Sequence, residues 1–251
     1  MTPDRYDIIM TNHQTERTLL IDADDTLWEN NVFYLRSRAL FGQYMASLGC
    51  DAQAAIEALY QMEHETIPIY GYGPQGYIEA LRLTCRKCLT EIGRRASPED
   101  LERAATCGRL ALDPSMILLP RVRETLQRLR PSSRLVLLTK GDESVQQRKI
   151  ACSGLEPLFD HLRVVAEKDE QTYAEIVREL DLEPSNTWMV GNSPRSDVNP
   201  ATAIGLRAIL IPHDHTWIVE NQEIERQELV TILSSFADLL PHFGLSPYKE
   251  V

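Results

Sequence analysis

Short apolar segments alternate with helical patterns from residue 131 onward. The apolar segments predict strands with the sequences RLVLLT, HLRVV, TWMVG and RAILI, at residues 134–139, 161–165, 187–191 and 207–211. Between them lie helical patterns, one of which ends at Gly154 and another of which begins at Asp169 as its N-cap. Strands that are joined by helices in this way indicate a parallel sheet covered on both faces. We therefore expect an α/β protein with a doubly wound parallel sheet.

Two further helices are predicted near the end of this alternating region. Asn199 followed by Pro200 predicts a helix over ATAIGL, with asparagine at the N-cap and proline at the first helical position. The segment ELVTILSSFADLL, at 228–240, predicts a closing helix after the last strand.

The segment LLIDADDTLW, at residues 19–28, places three carboxylates directly after a short apolar run. An apolar run that ends abruptly in acids is typical of a buried strand whose carboxyl end opens into a site. Crowding Asp22, Asp24 and Asp25 together raises the free energy of the folded state unless a cation neutralises them. A divalent metal is the obvious candidate. The spacing of Asp22 and Asp24 would also let one carboxylate attack a substrate while the other transfers a proton.

A long insertion separates this first strand from the second one. The distance from Asp22 to Thr139 is 117 positions, whereas a crossover between parallel strands needs only about a dozen residues. Helical patterns fill most of that interval, and residues 121–130 already supply the crossover helix. We expect a core formed by residues 1–30 and 113–251, and an inserted all-helical cap at 31–112 that is well placed to act as a lid.

Charge and composition limit the class of partner. The chain has 26 basic and 37 acidic residues, a net charge of −11, which argues against general binding to nucleic acids or anionic membranes. The N-terminal segment has no apolar stretch of signal-peptide length, and no stretch approaches the length of a membrane span. Five scattered cysteines suit a reducing compartment. We expect a cytoplasmic protein that is a monomer or homodimer and acts on a small molecule.

Polar residues follow each of the predicted strands. In an open parallel sheet, ligands bind outside the carboxyl ends of the strands. Besides the acids after the first strand, these ends carry Thr139, Lys140, Gly141, Lys168, Asn192 and Asp197. A metal and a lysine there would hold a phosphate, while Asp22 attacks phosphorus.

The order of these motifs resembles that of the haloacid dehalogenase superfamily, most of whose members are magnesium-dependent phosphatases. The resemblance rests on DADDT at 22–26, LLTKG at 137–141, Lys168, and GNSPRSD at 191–197. It covers about two-thirds of the chain. It implies a Rossmann-like core and a cap inserted between the first and second motifs.

The resemblance also implies a role for each matching residue. Asp22 would be the nucleophile that forms an aspartyl-phosphate, and Asp24 would protonate the leaving group and then activate water. Thr139 and Lys168 would hold the phosphoryl oxygens. Mg²⁺ would be bound by the Asp22 carboxylate, the Asp24 carbonyl and Asp197, with water molecules as its other ligands.

Two residues depart from the pattern of many family members. Asn192 stands where many have aspartate; an amide oxygen can still coordinate Mg²⁺ or hold a metal-bound water, so we expect weaker binding but not loss of the site. Lys140 replaces a neutral residue beside the threonine. It would either add positive potential to the phosphate site or point to solvent.

The leading hypothesis is therefore a magnesium-dependent phosphatase acting on a small phosphomonoester. Three alternatives remain open: a haloacid dehalogenase, a phosphomutase, and a catalytically weak binding or regulatory protein on the same core. Dehalogenation needs neither a metal nor a proton donor, so the presence of Asp24 and Asp197 favours the phosphatase.

Several other motifs are typical of structural elements and not of a separate cofactor or metal site. The glycines at 71–76 match a dinucleotide-binding fingerprint, but Pro68 lies in the stretch before them, so we expect a tight loop in the cap. Aromatic and amide side chains of this segment could face the substrate, namely Tyr70, Tyr72, Gln75 and Tyr77.

Three further features receive a structural interpretation. Cys85 and Cys88 lack a second cysteine pair, so we expect two buried thiols on one helix face. His213 and His215 are expected to make loop contacts. Lys149 lies inside a predicted helix and is expected to be solvated, which leaves Lys168 as the phosphate-binding lysine.

Overall fold

The computed structural model describes residues 17–109 and 116–248. Within these residues, one sheet of six parallel strands has the order β3-β2-β1-β4-β5-β6. The strands are β1 (Arg17–Ile21), β2 (Ser133–Lys140), β3 (His161–Val165), β4 (Thr187–Gly191), β5 (Arg207–Leu210) and β6 (Val230–Ile232). The strand order reverses between β1 and β4, and ligands bind at such a switch point in doubly wound sheets.

Helices cover both faces of this sheet. The α-helices of the described residues are α1 (Asn31–Ser47), α2 (Ala52–Tyr70), α3 (Pro74–Glu91), α4 (Pro98–Gly108), α5 (Val122–Leu129), α6 (Glu143–Ser153), α7 (Glu170–Glu179), α8 (Asn199–Ala203) and α9 (Leu239–His242). Leu19 and Ile21 of β1 pack in one core cluster with residues of α5, α6 and α9. Leu20 lies on the opposite face and packs in a second cluster with residues of α7 and α8. The predicted doubly wound core is therefore confirmed.

The first four helices form an inserted cap between β1 and β2. They share a hydrophobic cluster of their own, which includes Phe41, Leu59, Leu81 and Leu89. Cys85 and Cys88 are buried, and both belong to this cluster. The glycine-rich segment 71–76 follows α2 and includes the start of α3 at Pro74, so it does not follow a strand as a dinucleotide fingerprint would require. The predicted domain boundary at 112–113 lies outside the described residues.

The sequence correctly predicted the end of one helix and the start of another. Gly154 has φ +61° and ends α6 in the left-handed conformation, which glycine adopts at low cost. The Asp169 side chain accepts a hydrogen bond from the Thr172 N–H at 2.8 Å, and so caps α7.

Two predictions for the end of the chain were wrong. Residues 228–240 are not one helix, because Val230–Ile232 pairs with β5 as an edge strand and the helix α9 is only a short turn. Asn199 is not an N-cap, because the π-helix Pro194–Val198 runs directly into α8. Its side chain instead bonds the Glu223 carbonyl and the Glu225 N–H. In both cases contacts with distant segments of the chain determined the structure, and the local sequence pattern did not.

Candidate active site

Asp22 lies at the carboxyl end of β1, next to the point where the strand order reverses. Its Oδ1 atom is 2.5 Å from Lys168 Nζ, and its Oδ2 atom accepts a hydrogen bond from the Thr26 hydroxyl at 3.0 Å. Burial raises the pKa of the Asp22 carboxyl to about 7, because the loss of hydration outweighs the attraction of the Lys168 ammonium. The charge of Asp197 raises this pKa further.

Lys168 connects two acids inside the core. Its ammonium lies 2.8 Å from Asp197 Oδ1, in addition to its contact with Asp22, and the residue is 3% exposed. Burial alone disfavours the ammonium, but Asp197 and Asp22 outweigh this effect and raise the pKa of Lys168. Lys168 therefore remains a cation in direct contact with the Asp22 carboxylate.

Asp24 is held by donors from two parts of the chain. Trp28 Nε1 donates to Oδ1 at 2.6 Å, Lys149 Nζ lies 2.8 Å from Oδ2, and Gln146 Nε2 donates to Oδ2 at 3.2 Å. The expectation that Lys149 is solvated was wrong. Helix α6 starts just beyond the end of β2 and carries Gln146 and Lys149, three positions apart, on the face toward the first strand. That spacing was a signal in the sequence, but it did not identify which face of the helix was buried.

The end of β2 contributes three of the predicted residues. Thr139 is buried, and its Oγ1 atom accepts a hydrogen bond from Gln146 Nε2 at 2.6 Å. Lys140 does not point to solvent, since its Nζ atom lies 2.7 Å from Glu220 Oε1 and 4.6 Å from the centre of the Tyr72 ring. Gly141 has φ +136°, a conformation that side chains disfavour, and this lets the chain turn between β2 and α6.

Asn192 and Asp197 occupy different positions in the site. Asn192 Oδ1 lies 3.2 Å from the same Thr26 hydroxyl that contacts Asp22 Oδ2, so these two oxygens flank one donor. Both oxygens of Asp197 are engaged, one by Lys168 and the other by the Ser193 N–H at 2.9 Å. Asp197 therefore holds Lys168 in place, while the oxygens of Asp22 and Asn192 lie side by side.

A cavity of about 180 Å³ brings the predicted residues together. All eight candidates line it, namely Asp22, Asp24, Thr139, Lys140, Gly141, Lys168, Asn192 and Asp197. The cap contributes further lining residues, including Tyr34, Arg38, Glu63, Tyr72 and Tyr77. Tyr70 and Gln75 are exposed, so only two of the four side chains considered around the glycine-rich segment reach the cavity.

A second group of ligand-type atoms lies beside the cavity. One atom each from Asp25, Glu29 and His213 lie within 4.8 Å of one another. The Asp25 carboxylate already accepts the N–H groups of Asn30 and Asn31 at the start of α1. We therefore interpret Asp25 as a cap for this helix, and His213 as a loop contact. His215 also contacts α1, through its backbone carbonyl and the Asn31 side chain.

The sequence matches a family model across this whole arrangement. The model of haloacid dehalogenase-like hydrolases matches residues 16–205, which include β1, the cap and the strand ends through β4. This protein is a haloacid dehalogenase-like hydrolase. The match includes every residue that was predicted for the site.

Known relatives of this hydrolase agree with that assignment. N-acylneuraminate-9-phosphatase from human is 31% identical over 141 residues, which are 54% of this chain and 51% of the relative. The chain thus spans about half the length of this curated relative. A haloacid dehalogenase-like hydrolase structure from Xanthomonas campestris has 30% identity and a TM-score of 0.74, with 88% of both chains covered. A putative HAD-hydrolase from Bacillus subtilis, bound to magnesium, shares the fold at 16% identity and a TM-score of 0.59, with 91% of this chain and 99% of that chain covered.

Proposed function

We propose that this hydrolase is a magnesium-dependent phosphatase that cleaves a small phosphomonoester through an aspartyl-phosphate on Asp22. The observation that carries the proposal is the placement of Asp22, Lys168 and Asp24 around one cavity at the switch point of the sheet. The phosphatase relative from human supports the same chemistry. The net charge of −11 supports a small metabolite over nucleic acid or membrane as the substrate. We further propose that the enzyme is cytoplasmic and acts as a monomer or homodimer.

In the proposed reaction, one carboxylate is the nucleophile and a second one transfers protons. The Asp22 carboxylate attacks phosphorus, the bond to the leaving oxygen breaks, and Asp24 donates a proton to that oxygen. Lys168 and the Thr139 hydroxyl hold the phosphoryl oxygens and stabilise their charge. Asp24 then takes a proton from a water molecule that attacks the aspartyl-phosphate, which releases phosphate and restores Asp22.

The oxygen atoms beside Asp22 suit a magnesium ion. Asp22 Oδ2 and Asn192 Oδ1 flank the Thr26 hydroxyl, and the carbonyl of Asp24 would be a third ligand. Such hard oxygen donors are the ligands that Mg²⁺ prefers. Asp197 would complete the site through water, because its own oxygens are engaged by Lys168 and Ser193. When bound, magnesium would favour the ionised carboxylate of Asp22 and draw charge from the phosphoryl oxygens.

The geometry of Asp24 argues against two of the three alternatives, the dehalogenase and the catalytically weak binding protein. Displacement of a halide needs no proton donor, yet Trp28, Gln146 and Lys149 all orient the Asp24 carboxylate. A catalytically weak binding protein would have no need for this arrangement either. A phosphomutase would share the first half of the reaction and differ in the acceptor of the phosphoryl group.

The proposal is tested by hydrolysis of p-nitrophenyl phosphate with magnesium and with EDTA. We expect turnover that EDTA abolishes, and we expect Asp22→Asn to reduce kcat at least ~10³-fold because it removes the nucleophile. Asp24→Asn is the second variant. It should lose more activity with a poor leaving group such as glycerol 3-phosphate than with p-nitrophenyl phosphate, since a good leaving group departs without protonation.

Two results would contradict the proposal. Substantial turnover by Asp22→Asn would exclude nucleophilic catalysis by this carboxylate. If the wild-type enzyme hydrolysed neither p-nitrophenyl phosphate nor a panel of phosphorylated metabolites at saturating magnesium, the phosphatase assignment would be wrong.

A further inference from the structure

The cap side of the cavity contains two buried hydrogen-bond donors without an acceptor. Arg38 Nη1 and Trp217 Nε1 are both buried, and neither has a hydrogen-bond partner among the described residues. Both residues line the cavity that also contains Asp22. An unsatisfied buried donor costs about 1–3 kcal/mol, so a ligand that supplied oxygen acceptors here would gain binding energy.

The charge of Arg38 is already balanced by Glu63. Arg38 Nη2 lies 2.8 Å from Glu63 Oε2, and Nε donates to Oε1 at 3.2 Å. The two side chains are only 4% and 8% exposed, so water screens this pair weakly. The bidentate contact uses the Nε–Nη2 edge of the guanidinium and leaves Nη1 without a hydrogen-bond partner.

The other cations that line the cavity are also paired with acidic side chains. Within the described residues these are Lys140, Lys149 and Lys168. Lys140 is paired with Glu220, Lys149 with Asp24, and Lys168 with two acids. No described cavity residue therefore offers a positive charge that lacks an acidic partner.

Aromatic rings surround the Arg38 guanidinium. The guanidinium carbon lies 4.7 Å from the centre of the Tyr60 ring and 5.7 Å from that of Tyr77. Tyr34 packs edge-to-face on Tyr77 at 5.0 Å and also lines the cavity. Tyr34 and Tyr77 thus line the cavity with aromatic surface, which suits the C–H groups of a polyol or sugar and provides no counter-charge for an anion.

We propose that a cap subsite, formed by Arg38 and Glu63 of the cap helices together with Trp217 from the segment after β5, binds the leaving group of the substrate as a neutral, oxygen-rich group and disfavours a carboxylate. Arg38 Nη1 and Trp217 Nε1 donate to hydroxyl or carbonyl oxygens. A carboxylate at the same place is repelled by Glu63, which shares the guanidinium, and this repulsion is strong at low dielectric. The inference rests on the proposed phosphatase activity and adds a class of substrate to it.

The test compares two substrates of similar size, glycerol 3-phosphate and 3-phosphoglycerate, which differ by a hydroxymethyl group against a carboxylate. We expect the wild-type enzyme to have a kcat/KM at least ~10-fold higher for glycerol 3-phosphate, a difference of about 1.4 kcal/mol. Glu63→Gln removes the repelling charge and should narrow this ratio at least ~10-fold. Glu65→Gln is the matched control, because Glu65 is exposed on the same helix, and its ratio should equal that of the wild type.

A second variant covers the case in which Glu63→Gln does not fold, since an uncompensated buried arginine is destabilising. The double variant Arg38→Met Glu63→Leu replaces the whole pair by apolar side chains of similar volume. We expect it to lose the preference for glycerol 3-phosphate. A wild-type preference for 3-phosphoglycerate, or an unchanged ratio in both variants, would overturn the cap subsite.

Different results would contradict the proposed phosphatase activity and the proposed cap subsite. If the wild-type enzyme hydrolyses p-nitrophenyl phosphate but shows no discrimination between the paired substrates, only the cap subsite is wrong. If it hydrolyses no phosphomonoester, the proposed function is wrong and the subsite proposal falls with it.

Discussion

Asp24 shows how a single side chain is fixed by residues that are distant in sequence. Its carboxylate contacts Lys149 Nζ at 2.8 and 3.0 Å, and the same ammonium lies 2.8 Å from Asn30 Oδ1. Lys149 therefore links α6 to the loop that follows β1. An ion pair of this kind holds the carboxylate in one orientation, which proton transfer requires.

If Asp24 transfers protons as we propose, Lys149→Met should impair that step. We expect kcat for glycerol 3-phosphate to fall ~10–100-fold, with a smaller loss for p-nitrophenyl phosphate, because only the poor leaving group needs protonation. Arg148→Met is the control, since Arg148 is exposed on the same helix. Steady-state kinetics with both substrates provide the measurement.

A double variant separates positioning from simple destabilisation. If Lys149 acts through Asp24, adding Lys149→Met to Asp24→Asn should cause little further loss of kcat. Fully additive losses would show that Lys149 acts elsewhere.

Gly191 is required because of its closeness to Asp197. A Cβ atom at this position would lie 2.1 Å from Asp197 Oδ2, much closer than two non-bonded atoms can approach. Gly191→Ala should therefore displace the carboxylate that holds Lys168. We expect a loss in kcat on the order of 10²-fold, as a displacement of about 1 Å in an active site can cause. Retention of the wild-type kcat by a folded variant would contradict this role.

At the scale of single elements, the start of α4 has a complete capping box. The Ser97 hydroxyl accepts the Asp100 N–H at 3.1 Å, and the Asp100 carboxylate accepts the Ser97 N–H at 2.9 Å. The Ser97 N–H, and next the Ser97 hydroxyl, which also donates to Asp100 Oδ2 at 2.8 Å, lower the pKa of Asp100 below its usual 3.8. The carboxylate form therefore stabilises the cap above this pH, and the contribution disappears as the pH falls through the folded-state pKa.

Ser97→Ala should destabilise the protein in a pH-dependent way. We expect the free energy of unfolding at pH 7 to fall by about 1 kcal/mol, the usual cost of removing an N-cap. The difference from the wild type should shrink below pH ~4, where Asp100 becomes protonated. Urea denaturation at several pH values measures this, with Ser47→Ala as an exposed control on α1. A difference that did not vary with pH would contradict the role of the Asp100 carboxylate.

At the scale of the whole molecule, the cap is attached to the core by contacts at the rim of the cavity. The Tyr72 hydroxyl donates to Glu167 Oε2 at 2.9 Å, and His64 stacks near Trp217 with ring centres 6.3 Å apart. Burial and Glu167 together raise the pKa of Tyr72 to about 12, so the hydroxyl keeps its proton at neutral pH. These contacts favour the arrangement in which the cap covers Asp22.

Tyr72→Phe should weaken this attachment and retain the ring. Loss of one hydrogen bond worth about 1 kcal/mol would shift the balance between covered and open arrangements roughly five-fold. We therefore expect kcat/KM to fall by about that factor, mainly through a higher KM. Tyr70→Phe is the control, because Tyr70 is 52% exposed near the same loop. Equal kinetics for both variants would show that the Glu167 contact does not control access.

The sequence by itself determined the fold class and which polar residues lie at the carboxyl ends of the strands. Buried strands and amphipathic helices have different hydrophobic periods, so their alternation is visible without a structure. The carboxyl ends of parallel strands must meet at one edge of the sheet. Polar residues at those positions, from Asp22 to Asp197, could therefore be assigned to one cavity before their distances were known.

Only the tertiary structure decided which of several equivalent faces became buried. Lys149 and the exposed Arg148 are neighbours on α6, and only the packing of that helix turns one of them toward Asp24. The edge strand Val230–Ile232 exists because β5 offers it hydrogen bonds. Arg38 and Glu63 lie on different cap helices, so their pairing depends on how α1 packs against α2. Such choices depend on contacts between distant segments, which local sequence periodicity does not encode.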